Sequence, residues 1–225
     1  IVETALSNFG RLDALVLNAG LIEGCPVAEL TEADLARSYE VNVLAAFRLT
    51  QAALPIMRRQ NYGRIVFTTS TAGLYGNAGL AAYGMAKAAV FGLMWAVAAE
   101  EESNGILANT ICPTALTRMT DTYVSDEALR AALSPDRVAP AVVWLASDRC
   151  AQSNLILMAA GGIFRSVSML QDRGVHLRST ASITPEQVAA EMGQSMAEPK
   201  RAHEGLQGFS GADAHFSALL EELRS

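Results

Sequence analysis

Tyr83 and Lys87 stand four residues apart in an alanine-rich run, and Ser70 lies thirteen residues before the tyrosine. On a helix, positions i and i+4 share one face, so a phenol and an ammonium at this spacing point into one space. A phenol left alone titrates near ~10. A cation beside it favours the phenolate and draws that value down. A phenol tuned in this way passes a proton to or from a carbinol oxygen near neutral pH. A hydroxyl at Ser70 would hydrogen-bond the same oxygen and fix its place. Tyr and Lys at this spacing occur on many helices, so the pair decides nothing without its setting.

That setting reads as strand, turn and helix. Arg64-Ile-Val-Phe-Thr-Thr69 is β-branched and aromatic, the composition of a strand. Gly73, Gly76 and Gly79 predict a close-packed turn after it. Beyond Tyr83, the residues Ala86, Val90, Leu93, Met94, Ala96 and Val97 recur with helical spacing. Ser70 therefore falls at the carboxyl end of a strand, and the Tyr/Lys pair opens the next helix. Open α/β sheets bind their ligands at that end.

The elements around this segment alternate. A helix ends at Gly10 and leads into a strand at Leu15 to Asn18. Thr31-Glu-Ala-Asp34 has the form of a capping box, with aspartate in place of glutamate, and opens a long helix through Asn42 and Phe47 to Met57. Ile106 to Cys112 reads as a strand. Met119 to Leu133 mixes polar and apolar residues and is expected to lie over the site as a lid. Ser134-Pro135 starts another helix, with Val138, Val142 and Leu145 facing inward. Leu155 to Met158 is expected to be the last strand, ending at Gly161-Gly162. The alternation implies a parallel sheet with helices on both faces. We expect two regions, a Rossmann-like α/β domain over 1–162 and a helical extension over 163–225. In the extension, Thr184-Pro185-Glu186-Gln187 opens a capped helix, and a final helix carries Phe216, Leu219, Leu220 and Leu223.

Composition narrows the function. Apolar residues make up 51% of the chain and charged residues 18%, which suits a buried α/β core. The net charge is −6 with no long basic block, which argues against a nucleic-acid or anionic-membrane partner. No apolar run reaches ~18 residues, so no membrane span is expected. Cys25, Cys112 and Cys150 are odd in number and lack metal-ligand spacing, so buried reduced thiols in a cytosolic protein are expected, and no metal. The three histidines, His176, His203 and His215, fall in the extension, away from the Ser/Tyr/Lys segment.

The Ser70 to Lys87 segment resembles the active-site segment of the short-chain dehydrogenase/reductase family. Three further motifs carry the resemblance in family order. Leu17-Asn18-Ala19-Gly20 is similar to the family's Asn-Asn-Ala-Gly, with leucine for the first asparagine. Asn42 matches the fourth member of the catalytic tetrad. Asn109-Thr-Ile-Cys-Pro113-Thr114 is similar to the nicotinamide-side motif Asn-x-Ile-x-Pro-Gly, with threonine for glycine. The stretch from Pro113 to Thr120, the glycine turn before Tyr83 and the long tail look like one subgroup. That subgroup is the (3R)-hydroxyacyl-CoA dehydrogenase domain of peroxisomal multifunctional enzyme type 2 and its bacterial relatives. Leu80 and Thr114 depart from it, where the subgroup tends to have glutamine and asparagine.

Family members carry three strands and two helices before the Leu15 strand, and their first turn is a glycine-rich pyrophosphate loop. These 225 residues hold no such loop. The expectation is therefore part of a longer enzyme, lacking the first three strands, with an open apolar edge at Ala14 to Leu17. By itself it is expected to hold a dinucleotide poorly.

The resemblance implies an oxidoreductase that uses NAD, with NADP as the other candidate, to interconvert a secondary alcohol and a ketone. The substrate implied is a 3-hydroxyacyl thioester, with a steroid or small ketone as alternatives. It makes Tyr83 the acid/base and Lys87 its partner, which also holds the nicotinamide ribose. Ser70 positions the substrate oxygen. Asn42, in a helix distorted at that residue, holds a water that relays protons to Lys87. Asn18, Ala19 and Gly20 would contact the adenosine side of the cofactor, and Pro113 and Thr117 the nicotinamide end. A homodimer or homotetramer is implied, in the cytoplasm, or in the peroxisome if the source is eukaryotic. The alternative is a non-catalytic remnant serving as an oligomerisation module.

Overall fold

The computed structural model describes residues 1–120, 125–169, 175–177 and 182–197. Its first compact unit covers 1–167 and its second 168–225.

In the first unit, helix α1 (Val2–Phe9) closes on Gly10, whose left-handed backbone lets its N–H reach the Leu6 carbonyl. Strand β1 (Ala14–Leu17) follows, then α2 (Glu32–Tyr39), capped by the reciprocal Thr31/Asp34 bonds. The chain passes through a π-helical turn at Glu40–Leu44 into α3 (Ala45–Gln60). Next come β2 (Gly63–Thr68), the short α4 (Thr71–Tyr75) and the long α5 (Ala81–Glu101). Then β3 (Ile106–Thr114), α6 (Glu127–Ala132) and α7 (Ala139–Leu145) lead to β4 (Ile156–Ala160) and β5 (Ile163–Val167).

The five strands form one sheet in chain order, with β1 to β4 parallel and β5 antiparallel to β4. Strands β2, β3 and β4 split their side chains between two cores because successive residues face opposite ways. Leu15, Leu17, Ile65 and Phe67 join one core with Met57 of α3 and Val90, Phe91 and Met94 of α5. Val66, Ile111 and Leu157 join the other with Val138, Ala141 and Leu145 around α7. Helices therefore cover both faces, as the alternation predicts.

The structure departs from the sequence reading in four places. Leu155 to Met158 does not lead to the end of the sheet: Gly161 and Gly162, both at positive φ, fold the chain back so that 163–167 pairs with β4. The turn between Ser70 and Tyr83 contains a helix, α4, before Gly76 and Gly79 take positive φ. Cys25 is only half-buried, and all three cysteines are free thiols. The edge strand β1 pairs with β2 alone among the described residues, yet Leu15 and Leu17 are covered by helices. Only Val16, 44% exposed, faces outward, so the open edge is one of backbone more than of apolar side chains.

Helix α5, continued by a short turn to Asn104, is long and apolar enough to cross a membrane by length and composition. In this fold its apolar residues pack on the sheet, and it buries Lys87 and Glu101. The Glu101 carboxylate is bound by Arg58 and Asn104, and Arg58 holds it below the usual carboxylate range.

In the second unit, α8 (Pro185–Ala197) opens on Thr184. Its hydroxyl accepts from the Gln187 N–H while Gln187 Oε1 accepts from the Thr184 N–H. Part of the expected lid and the expected final helix at Phe216 to Leu223 lie outside the described residues.

Candidate active site

A cleft of about 690 Å³ opens at the carboxyl ends of β1, β2 and β3. Across the sheet, β1 delivers Asn18, Ala19 and Gly20 to its lining, β2 delivers Thr68 and Thr69, and β3 delivers Pro113 and Thr117. Tyr83 and Lys87 enter from the first turns of α5.

Close packing aims α5 at the strand ends. Gly73 of α4 lies so near that a Cβ there would stand 2.8 Å from the Lys87 carbonyl carbon and 2.8 Å from the Ala88 nitrogen. Lys87 is buried, and its Nζ donates to the Thr68 carbonyl at 2.9 Å. It sits 5.6 Å from the centre of the Tyr83 ring. Burial pulls its pKa down to about 8.

The expected drop in the tyrosine's pKa is not found. Burial raises Tyr83 above its ordinary value, hydrogen bonding with Ser70 opposes the rise, and Cys112 adds to it. The lysine stands beside the ring, but the hydrogen bond with Ser70 is what opposes desolvation. The Ser70 hydroxyl also caps α4, accepting from the Ala72 N–H at 3.2 Å. Ser70 borders Tyr83 but is not among the residues that line the cleft.

Asn42 is 3% exposed at the centre of the π-turn, in which the Ala45 N–H reaches back to the Glu40 carbonyl. Its Oδ1 accepts from the Leu21 N–H at 3.2 Å, and its Nδ2 donates to the Leu21 carbonyl at 2.9 Å and to the Ser38 carbonyl at 3.0 Å. The amide thus clamps the segment after β1. The clamp brings Gly20 close: a Cβ there would meet Asn42 Oδ1 at 2.9 Å and Lys87 Nζ at 3.3 Å.

Asn109, the first residue of the third motif, does not line the cleft. It is buried, donates to the Gln152 carbonyl at 2.8 Å and accepts from the Leu155 N–H at 2.9 Å, which ties β3 to the approach of β4.

Three residues of the site were not singled out from sequence. Thr69 reaches Cys112, with Oγ1 and Sγ 2.9 Å apart, under the strand ends. Burial pushes the Cys112 thiol up to about 11. Arg118 lies on the wall after β3. Val138 and Val142, read as core, face the cleft as well. The period-2 pattern of β2 and β3 could have placed Thr69 and Cys112, but nothing local marks Arg118.

A nicotinamide dinucleotide fits what is here on two counts. Gly20 lines the cleft with bare backbone, and a Cβ there would crowd Asn42 Oδ1, so glycine lets a flat group approach the chain beside Lys87. Among the described residues, the charged groups of the lining are Lys87 and Arg118, both cationic, with no carboxylate.

The short chain dehydrogenase family matches residues 1–128. Peroxisomal multifunctional enzyme type 2 of Drosophila melanogaster is 38% identical over 178 residues, 79% of this chain and 30% of that protein. Its full-length structure aligns with a TM-score of 0.81 at 31% identity, covering 93% of this chain and 37% of that one. A short chain dehydrogenase from Mycobacterium avium gives a TM-score of 0.76 at 29% identity, covering 90% of this chain and 70% of that one. The 3-oxoacyl-[acyl-carrier-protein] reductase of Thermotoga maritima is 32% identical over 157 residues, 66% of this chain and 64% of that protein. The chain thus spans about a third of the fly enzyme. With the family matched over more than half its length and the motif residues gathered at the strand ends, the chain belongs to the short-chain dehydrogenase family.

Proposed function

We propose that this chain carries the catalytic half of an NAD(P)-dependent oxidoreductase that interconverts a secondary alcohol and a ketone, with a 3-hydroxyacyl thioester as substrate. The observation that carries the reading is the meeting of Tyr83 and Lys87 with Asn18 to Gly20 and Pro113 in one cleft. The relatives' names, a peroxisomal multifunctional enzyme and a 3-oxoacyl carrier-protein reductase, support the acyl thioester.

Bound nicotinamide dinucleotide supplies the two-electron redox partner; NAD is the form proposed, with NADP as the other. Asn18, Ala19 and Gly20 would hold it from the β1 side. Pro113, Thr117 and Lys87 would hold its nicotinamide end. Tyr83 is the proton donor in the reductive direction. Its raised pKa keeps the phenol protonated at neutral pH, ready for a carbonyl oxygen held by Ser70. Lys87, brought to about 8 by burial, is the stronger acid of the two and can return a proton to the phenolate. Asn42 keeps Gly20 and Leu21 in register with Lys87.

A homodimer or homotetramer joined through α3 and α5 fits the exposure of Phe47 and Met85; sedimentation showing a monomer at micromolar concentration would remove it. The compartment proposed is the peroxisome if the source is eukaryotic and the cytoplasm otherwise. A purely associative, non-catalytic role is not favoured, since Tyr83 and Lys87 keep their places in the cleft.

The test is oxidation of reduced nicotinamide cofactor in the presence of acetoacetyl-CoA. Tyr83→Phe should lower turnover about 10²–10⁴-fold with little change in thioester affinity. If the variant keeps most of the activity, the tyrosine has no acid/base role.

A further inference from the structure

Arg118 is an exposed cation on the rim of the cleft, and the described residues give it no hydrogen bond or ion pair. Four other arginines of the unit are committed to carboxylates: Arg11 to Asp13, Arg37 to Glu23 and Asp34, Arg48 to Glu40 and Arg58 to Glu101. The chain as a whole is acidic, at −6, yet among the described residues the lining of this cleft holds two cations and no carboxylate. Lys87 is buried and bonded to Thr68. Arg118 is left as the cation that can reach a ligand from solvent.

Its place in the sheet order separates it from the Gly20 side. Lys87 is fixed at the end of β2, Asn18 to Gly20 lie beyond β1, and Arg118 lies beyond β3. Neighbouring strands are ~4.8 Å apart, so the two rims stand on the order of 10 Å from each other, with the reacting centre between them. The rim that bears Arg118 joins two hydroxyls, Thr117 and Thr120, to an apolar stretch of Met119, Pro135, Val138 and Val142. An apolar groove ending in one unpartnered guanidinium suits a ligand with an acyl chain and a phosphate on the same molecule.

We propose that Arg118 anchors the substrate by the phosphate of a phosphopantetheine thioester, either coenzyme A or the prosthetic group of a carrier protein. This rests on the thioester reading above. It adds a specificity-determining contact on the wall after β3, beside the Thr117 proposed to hold the nicotinamide end.

The test is a calorimetric titration without nicotinamide cofactor, using acetoacetyl-phosphopantetheine and acetoacetyl-pantetheine, which differ by the phosphate. The protein should prefer the phosphorylated thioester about tenfold, the scale of one exposed charge-assisted bond. Arg118→Met should erase that preference, Arg118→Lys should keep part of it, and raised salt should weaken it. Affinity for acetoacetyl-pantetheine should not change. Displacement of the bound thioester by coenzyme A, and not by a holo-carrier protein, assigns the free coenzyme; the reverse assigns the carrier protein. Equal affinity of the wild-type protein for the two thioesters overturns the proposal. So does an equal loss of both in Arg118→Met, or a loss confined to NAD. Because the titration reads binding and not turnover, it can succeed in a protein that transfers no hydride, so the two readings fail separately.

Discussion

The two walls of the cleft are built differently. The wall of β2, α4 and α5 is backbone set against backbone: Gly73 touches the Lys87 and Ala88 main chain, and Ala72, Ala82, Ala86 and Lys87 are all buried. The wall that follows β3 is made of exposed side chains, Thr117, Arg118 and Met119, on a segment held by its own local bonds. Thr120 Oγ1 donates to the Ala115 carbonyl at 2.7 Å and accepts from the Thr117 N–H at 2.8 Å, while the Leu116 N–H reaches Leu133 at 2.7 Å. The groups proposed to move protons sit on the packed wall, where a shift of an ångström would cost rate. The groups proposed to grip the substrate sit on the other, where side chains can change without disturbing the core.

The contrast can be broken first at Gly73, where the largest effect on stability is expected. A Cβ at 2.8 Å from two backbone atoms of α5 leaves neither side room to yield. Gly73→Ala should cost about 1–3 kcal/mol in a denaturant melt, the usual range for an overpacked core, and should lower turnover by displacing Lys87. A variant as stable and as active as the parent would show that the two helices are not in contact here.

Lys87 sharpens the contrast through pH. Its folded pKa is depressed to about 8 from 10.5. Between those values the unfolded chain binds the proton and the folded chain does not, so the burial penalty is full below pH ~8 and is relieved as pH rises towards ~10.5. Lys87→Met removes the penalty but leaves the Thr68 carbonyl without its donor. The net gain at pH 7 should be about 1–2 kcal/mol, shrinking through that window, while turnover is lost. Cys112 and Tyr83 act oppositely: their raised values make stability fall as pH climbs above their ordinary ones. Thermal melts of parent and Lys87→Met at pH 7 and pH 10 decide it. A gap that is flat or widens with pH contradicts the buried-cation account.

The packed wall was legible in the sequence because its signals are periodic. The β-branched run of β2, the glycines of the turn and the spacing of Tyr83 and Lys87 each name an element or a face. The distortion at Asn42 took the form of a π-turn, but the use of its amide on Leu21 was hidden, since that contact spans twenty-one residues of chain. The rise in the Tyr83 pKa was equally hidden. Spacing gives the neighbour, not the depth of burial, and here burial is the largest influence on the phenol. Strand β5 escaped because Gly161-Gly162 reads as an ending as readily as a hairpin. The wall after β3 has no period, so Pro113 and Thr117 were found through family motifs and Arg118 not at all.

The smallest effect should come from the wall after β3. Thr120 contacts no element of the packed core in its hydrogen bonding; its hydroxyl joins Ala115 to Thr117 and so shapes the rim that carries Arg118. Thr120→Val keeps the shape and removes both bonds. Because these groups are partly open to water, which can replace the hydroxyl, stability should change by no more than about 1 kcal/mol. The rim would relax, so KM for acetoacetyl-CoA should rise up to about fivefold with kcat nearly unchanged, the pattern of lost uniform binding. Thr120→Ser should restore KM. A fall in kcat without a change in KM would mean that this segment acts on the reacting atoms, and the division of labour between the two walls would not hold.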